Sequence, residues 1–230
     1  MTLKQALKFE SISTASQSRK ITQKIFRSSL KDLYDRQIPD DGLLFDMATG
    51  RRLPCALVVA AHIFQHKWQD RLPQFTLLNN IDDMGNGLLL YRPVEKAFDA
   101  AKLCIEVNPK GKMTFRLFDE DLRDIELAEY ARQLREATGG GDRRLEAEED
   151  LHITFGDLDG EELHFPDGIE MRPLKRLLAL HAVAAHWTAR DNALTSGRQI
   201  SDVQFDVSDD ENAEATIKNL SILKWRENLG

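Results

Sequence analysis

The sequence predicts an α+β fold: a small strand–strand–helix core, with a helical arm before it and a hairpin-plus-helix unit after it. Three observations carry this. Short apolar runs of strand length alternate with segments of helical apolar spacing. Turn chemistry punctuates them at Pro39-Asp40-Asp41-Gly42, Thr49-Gly50, Asn86-Gly87 and Asn108-Pro109-Lys110-Gly111. Pro93 follows the apolar run Leu88-Leu89-Leu90-Tyr91 at the first turn of a helix, where its missing N–H does no harm.

In chain order, residues 1–37 read as an amphipathic helical arm. Leu3, Ile21, Ile25, Phe26, Leu30, Leu33 and Tyr34 are spaced for one face, with Lys4, Lys8, Arg19, Lys20, Lys24, Arg27 and Lys31 elsewhere. Residues 38–137 form the central domain. It opens with strands at 43–45 and 56–60 joined through Thr49-Gly50, followed by an irregular stretch from 64 to 85. Asn86-Gly87 then starts a strand, and the next helix turns Val94, Ala97, Phe98, Ala101 and Leu103 inward. A hairpin at 103–118 and a helix near 124–137 complete the domain. Residues 138–149, with Gly139-Gly140-Gly141 and a charged run, read as a linker. Residues 150–200 read as a hairpin turned at Asp159-Gly160 and an apolar helix from Pro173 to Ala189, packing on the core. Residues 201–230 read as an acidic tail.

Composition narrows the class. No window approaches the roughly 20 apolar residues of a membrane span, and the start lacks an apolar signal core, so an intracellular protein, cytoplasmic or nuclear, is expected. Cys55 and Cys104 stand far apart in apolar runs, which excludes a disulfide framework and a cysteine-rich zinc site. They read as small buried hydrophobes. The net charge of −7 is unevenly spread. Residues 1–115 hold 17 Lys and Arg against 12 Asp and Glu, whereas residues 116–230 hold 14 against 26. Such asymmetry fits a basic working half beside an acidic one, and equally an ordinary acidic surface.

The informative stretch runs from Leu53 to Asp99: a strand, Ala61-His62-Ile63, a long loop, Asn86-Gly87-Leu88-Leu89-Leu90, then a helix with Glu95-Lys96-Ala97-Phe98-Asp99. It resembles the HNH family of His-Me finger (ββα-metal) nucleases, in the subgroup patterned AHI, NGLLL and FD. The resemblance implies an endonuclease that hydrolyses phosphodiester bonds of nucleic acid, DNA ahead of RNA, with a divalent metal, Mg²⁺ or Mn²⁺ first. It makes His62 the general base and Asn86 the residue that supports the finger loop and orients it. A neutral imidazole suits that role, since its reference pKa is about 6.5. At the end of its strand the His62 ring is expected to face a groove. Where the family carries His or Asn as metal ligand, this chain has Glu95, a hard oxygen donor suited to Mg²⁺ or Mn²⁺. Ala61 stands where many members place a second ligand, so Asp99 is the further metal candidate, or else an anchor of its helix. A catalytically degenerate finger that binds nucleic acid or protein is the alternative reading.

Arg51, Arg52, Lys67, Arg71, Arg92, Lys96 and Lys102 are the candidate phosphate contacts, on charge alone. His66 and Trp68, in the long loop, fit substrate contact or loop packing. His152 and His164 are expected to face each other across the second hairpin, without a third ligand for a metal. His181 and His186 fall on different helix faces. Binding to DNA should reside in residues 1–115 and weaken steeply with salt, by about −0.9 in log–log slope per phosphate contact. A variant truncated after Ser201 should bind no worse; salt-independent binding in filter or anisotropy assays would refute the basic-half reading.

Overall fold

Amphipathic spacing sets the first element. Phe26, Leu30 and Tyr34, four residues apart, form the buried stripe of α1 (residues 20–34) in the computed structural model, which describes residues 20–35, 42–76, 78–139, 148 and 151–196. β1 (Leu43–Phe45) and β2 (Arg52–Pro54) follow as a short antiparallel pair. Asp46 makes their connection. Its fully buried carboxylate accepts from the Thr49 N–H and hydroxyl, at 3.0 and 2.7 Å, while Gly50 takes φ +66°. The same carboxylate accepts the Tyr91 N–H at 2.7 Å, which ties this turn to the next strand pair.

That pair is β3 (Val58–His62) and β4 (Gly87–Tyr91), antiparallel from Val58↔Tyr91 to His62↔Gly87. All of β4 is buried, so both its edges need partners. β3 fills one edge; Met47 N–H, donating to the Leu89 carbonyl at 2.9 Å, and Asp46 fill the other. The open edge of β3 is closed by side chains of α1. Gln23 donates to the Ala60 carbonyl at 3.1 Å, and Arg27 to the carbonyls of Val58 and Cys55. Between the strands lie a 3₁₀ segment (His66–Arg71), the single turn α2 (Leu72–Phe75) and a 3₁₀ turn (Met84–Asn86). α3 (Arg92–Asp99) leaves β4 at once, with Pro93 in its first turn and Val94, Ala97 and Phe98 buried.

The remaining elements back this unit. β5 (Leu103–Val107) and β6 (Met113–Leu117) pair in register, turned at Asn108–Gly111, with Gly111 at φ +78°. α4 (Leu127–Ala137) packs on α3. Arg135 grips the fully buried Glu148 in a bidentate pair at 2.8 and 3.1 Å, and Tyr91 donates its hydroxyl to the same carboxylate. α5 (Phe155–Leu158) is one turn, and α6 (Lys175–Ser196) lies on β5 through Cys104, Ala182 and Ala185. One apolar cluster runs from Phe26 to Val183. Among the described residues no helix is long and apolar enough to cross a membrane.

The chain is thus α+β, with mixed helices and small antiparallel strand pairs, and several expectations are corrected. β1 pairs with β2, not with 56–60, because the Asp46 turn closes at once; β3 pairs with β4 instead. The hairpin expected at 150–165 is absent among the described residues. Thr154 and Asp157 form a reciprocal capping box that turns the chain into α5, with Phe155 and Leu158 buried three residues apart. Single bridges Thr114↔Glu162 and Glu126↔Thr154 are what remains of strand pairing there. His152 and His164 therefore do not face each other across strands: His152 is exposed beside Glu126, and His164 packs over Gly50. α1 buries Phe26, Leu30 and Tyr34, but Ile21 and Ile25, one position out of step with that stripe, are more than half exposed. The expected helix 173–189 begins at Lys175 and extends to Ser196, and α3 ends before Ala101 and Leu103. Leu3 and the acidic 201–230 segment lie outside the described residues.

α6 also fixes α3 through a histidine. His181 stacks on Phe98, ring centroids 3.6 Å apart at 7°, and donates from Nε2 to the Phe98 carbonyl at 3.0 Å. Burial outweighs that bond and lowers the His181 pKa from 6.5 to about 4. A folded pKa below the unfolded one means that His181 stabilises fully above pH 6.5 and loses this as pH falls through about 4. The shift corresponds to roughly 3 kcal/mol. Glu95 acts in the opposite sense: burial, then the Asp99 charge, raise its carboxyl to about 7, so stability is lost as pH rises from 4.5 through 7. Urea midpoints of the Glu95→Gln protein should therefore drop between pH 7 and 4, and adding His181→Leu should flatten that drop. Equal slopes with and without His181 would show that its burial carries no linkage.

Candidate active site

β3 ends on His62, and the chain must then leave the sheet and return at Asn86 to start β4. The closure is made by Asn86 itself, a fully buried carboxamide. Its Oδ1 accepts the Phe64 N–H at 2.7 Å, and its Nδ2 donates to the carbonyls of Phe64 at 3.1 Å and Ile81 at 2.8 Å. The Asn86 carbonyl accepts the Ile63 N–H at 3.0 Å. One side chain thus fixes both strands of the loop, two residues after His62 and one residue before Asp82.

Asp82 meets His62 across that loop. Its Oδ1 lies 2.9 Å from His62 Nε2, with side-chain exposures of 18% and 9%. The ring does not face an open groove as expected. Phe26 of α1 stacks on it, centroids 4.0 Å apart at 8°, because α1 lies against the β3–β4 pair. His66 approaches edge-on at 6.1 Å. Burial lowers the His62 pKa; the hydrogen bond and charge of Asp82 oppose this, as does the charge of Asp99, while His66 adds to it. The imidazole is therefore neutral at neutral pH, the form that can accept a proton.

Glu95 and Asp99 sit one helical turn apart on α3, on one face. Glu95 is 8% exposed, and its raised pKa of about 7 comes from burial and then from the Asp99 carboxylate, to which it also hydrogen-bonds. Lys96 Nζ, 3.2 Å from Glu95 Oε2, forms an ion pair that leaves this buried oxygen without a directed hydrogen bond. Two adjacent carboxylates, one buried and one exposed, fit a hard divalent cation. Among the described residues no group of three or more His, Cys, Asp or Glu side chains is placed to hold a metal ion, so further ligands would have to be water or substrate oxygens. Gln65 donates to the Asp99 carbonyl at 3.0 Å and so links the loop after His62 to the end of α3.

The basic candidates divide. Lys67 and Arg71 lie in the 3₁₀ segment after His62, Lys67 with its ammonium 4.8 Å over the Trp68 ring, and Lys96 stands beside Glu95. Arg52 is engaged with Asp35, and Lys102 with Asp119 at 2.9 Å. Arg51 lies in the β1–β2 turn and Arg92 begins α3, both exposed. Trp68 packs edge-on against Phe64, which makes it part of the loop's own core. His181 is consumed by Phe98, and Cys55 and Cys104 are free thiols, Cys104 buried. Sequence reasoning missed Asp82. Its only sequence signal is an acidic pair, Asp82-Asp83, in an aperiodic loop between the two motif halves. Phe26 was legible as an apolar helix position and not as a cover for His62.

A neutral, oriented imidazole and a carboxylate pair on a neighbouring helix can together serve proton transfer and cation binding. No curated protein and no solved structure matches the chain. The family comparison does find one segment, and it contains His62, Asp82, Asn86, Glu95 and Asp99: residues 46–106 match the model of the HNH endonuclease family, HNH_2.

Proposed function

We propose that this chain is a metal-dependent endonuclease that hydrolyses phosphodiester bonds of nucleic acid, DNA ahead of RNA, with His62 as general base. The observation that carries the reading is His62, neutral and held by Asp82, in the same family-matched segment as the Glu95–Asp99 carboxylate pair. In it, β3, β4 and α3 form a ββα-metal finger. His62 takes the proton of the attacking water. Asn86 keeps the loop closed so that His62 stays in place. Glu95 and Asp99 hold a divalent ion, Mg²⁺ or Mn²⁺, which when bound supplies stabilisation of charge at the scissile phosphate and the leaving oxygen. Lys67, Arg71 and Lys96 draw in the backbone phosphates. The near-complete burial of the His62 ring beneath Phe26 favours the second reading, a finger that binds nucleic acid without cutting it.

His62→Ala should lower plasmid nicking in Mg²⁺ by roughly 10²–10⁴-fold in protein that stays folded, at a stability cost of about 1–3 kcal/mol for the uncovered Phe26 ring and the unpaired Asp82. Wild-type protein that nicks neither plasmid nor single-stranded RNA in Mg²⁺ or Mn²⁺, beyond an EDTA control, supports the non-cutting finger instead.

Glu95→Ala should raise the Mg²⁺ required for half-maximal nicking or abolish the reaction. Glu95→His should shift relative activity toward Co²⁺ and Ni²⁺, which imidazole suits better than a carboxylate does. If Glu95 only pairs with Lys96 and holds no metal, all three proteins would share one metal profile. A titration across Mg²⁺, Mn²⁺, Co²⁺ and Ni²⁺ separates the two.

A further inference from the structure

We propose that Asp82 is the positioning residue of this reaction: its carboxylate fixes His62 as the Nε2–H tautomer and leaves Nδ1 as the nitrogen that accepts the proton from water. The inference rests on the assignment of His62 as base and goes beyond it to a residue outside the motif. A carboxylate is an acceptor only, so at 2.9 Å from Nε2 it requires the hydrogen to reside on that nitrogen. In a neutral ring Nδ1 then carries the free lone pair. Among the described residues no hydrogen bond reaches Nδ1.

The pairing is built rather than incidental. Asn86 Nδ2 holds the Ile81 carbonyl, immediately before Asp82, and Asn80 Oδ1 accepts the Asp82 N–H at 3.0 Å. On the other side the β3–β4 register fixes the His62 backbone, and Phe26 sets the plane of the ring. With Nε2 engaged by Asp82, Nδ1 is the ring nitrogen left to take a proton from water. In the step itself the proton leaves water for Nδ1, the water oxygen bonds to phosphorus, and the bond from phosphorus to the leaving sugar oxygen breaks. That oxygen then takes a proton from solvent.

The test uses the full chain with ¹⁵N-labelled histidine. Long-range ¹H–¹⁵N spectra, with His62 assigned by its loss in His62→Ala, should show the Nε2–H tautomer in the wild type and a mixture of tautomers in Asp82→Asn. Plasmid nicking by Asp82→Asn should lose roughly 10²–10³-fold in kcat with little change in KM, as expected for a partner that orients a base. Asp82→Glu should restore part of that loss. In the His62→Ala background Asp82→Asn should cost nothing further, because two residues that act through one proton do not add. A wild-type Nδ1–H tautomer, full kcat in Asp82→Asn, or an equal loss in both backgrounds would each overturn the proposal. Absence of nicking by the wild type would remove the nuclease reading. The spectra would then still decide whether Asp82 sets the tautomer, and an Nε2–H form that persists in Asp82→Asn refutes even that.

Discussion

The candidate site depends on one buried amide. Asn86 makes three side-chain hydrogen bonds to the backbone of a loop more than twenty residues long, and each partner is a group that would otherwise stay buried and unpaired. An unsatisfied buried donor or acceptor costs about 1–3 kcal/mol, so the closed loop is far more stable than any arrangement with the amide withdrawn. Closure has chemical consequences because of where the bonds fall. They fix Phe64 and Ile81, and so bring the end of β3 and the returning end of the loop to within a hydrogen bond of each other at His62 and Asp82. Asparagine is suited to this position because it offers acceptor and donor together. A carboxylate of the same shape could satisfy Phe64 N–H and would repel both carbonyls.

α3 is held from behind with comparable rigidity and presents a conflict at its front. Val94, Ala97 and Phe98 are buried, and Phe98 is clamped by His181 of α6. The helix cannot rotate to bring the buried Glu95 into water without undoing that packing. A buried carboxylate is thereby kept beside the exposed carboxylate of Asp99, and burial, then the Asp99 charge, raises the Glu95 pKa. Lys96 offsets part of the repulsion, and a shared proton or a bound cation would relieve the rest. Local rules are broken here in the way functional sites break them, with the surrounding core supplying the stability.

Much of this was legible in the sequence, and the rest was not for definite reasons. β4 and α3 follow from an unbroken apolar run ending in Tyr91-Arg92-Pro93, and the β5–β6 hairpin from Asn108-Pro109-Lys110-Gly111. His62, Asn86 and Glu95 could be singled out because their spacing resembles a known pattern. The pairing of β1 could not be read from apolar periodicity, since it is decided by Asp46, a polar residue whose hydrogen bonds close the turn early and reach across to Tyr91. α5 imitated a strand because Ile153, Phe155 and Leu163 alternate, while the deciding signal was the capping pair Thr154 and Asp157. Asp82 was invisible because loop residues carry no period; its role exists only after Asn86 has folded the loop.

α1 lies outside the segment that matches the HNH family, yet it completes it. Gly87 has no side chain because Leu30 and Phe26 of α1 press within 3 Å of where its Cβ would stand. Gln23 and Arg27 occupy the carbonyls along the free edge of β3. A piece cut to residues 46–106 would therefore keep every residue of the motif and lose its lid and its margin. Its outer strand would present bare carbonyls beside an uncovered apolar surface, which is a template for another copy of itself. For this chain the smallest folding unit is larger than the smallest recognisable one, and an excised motif would be expected to self-associate before it could be assayed.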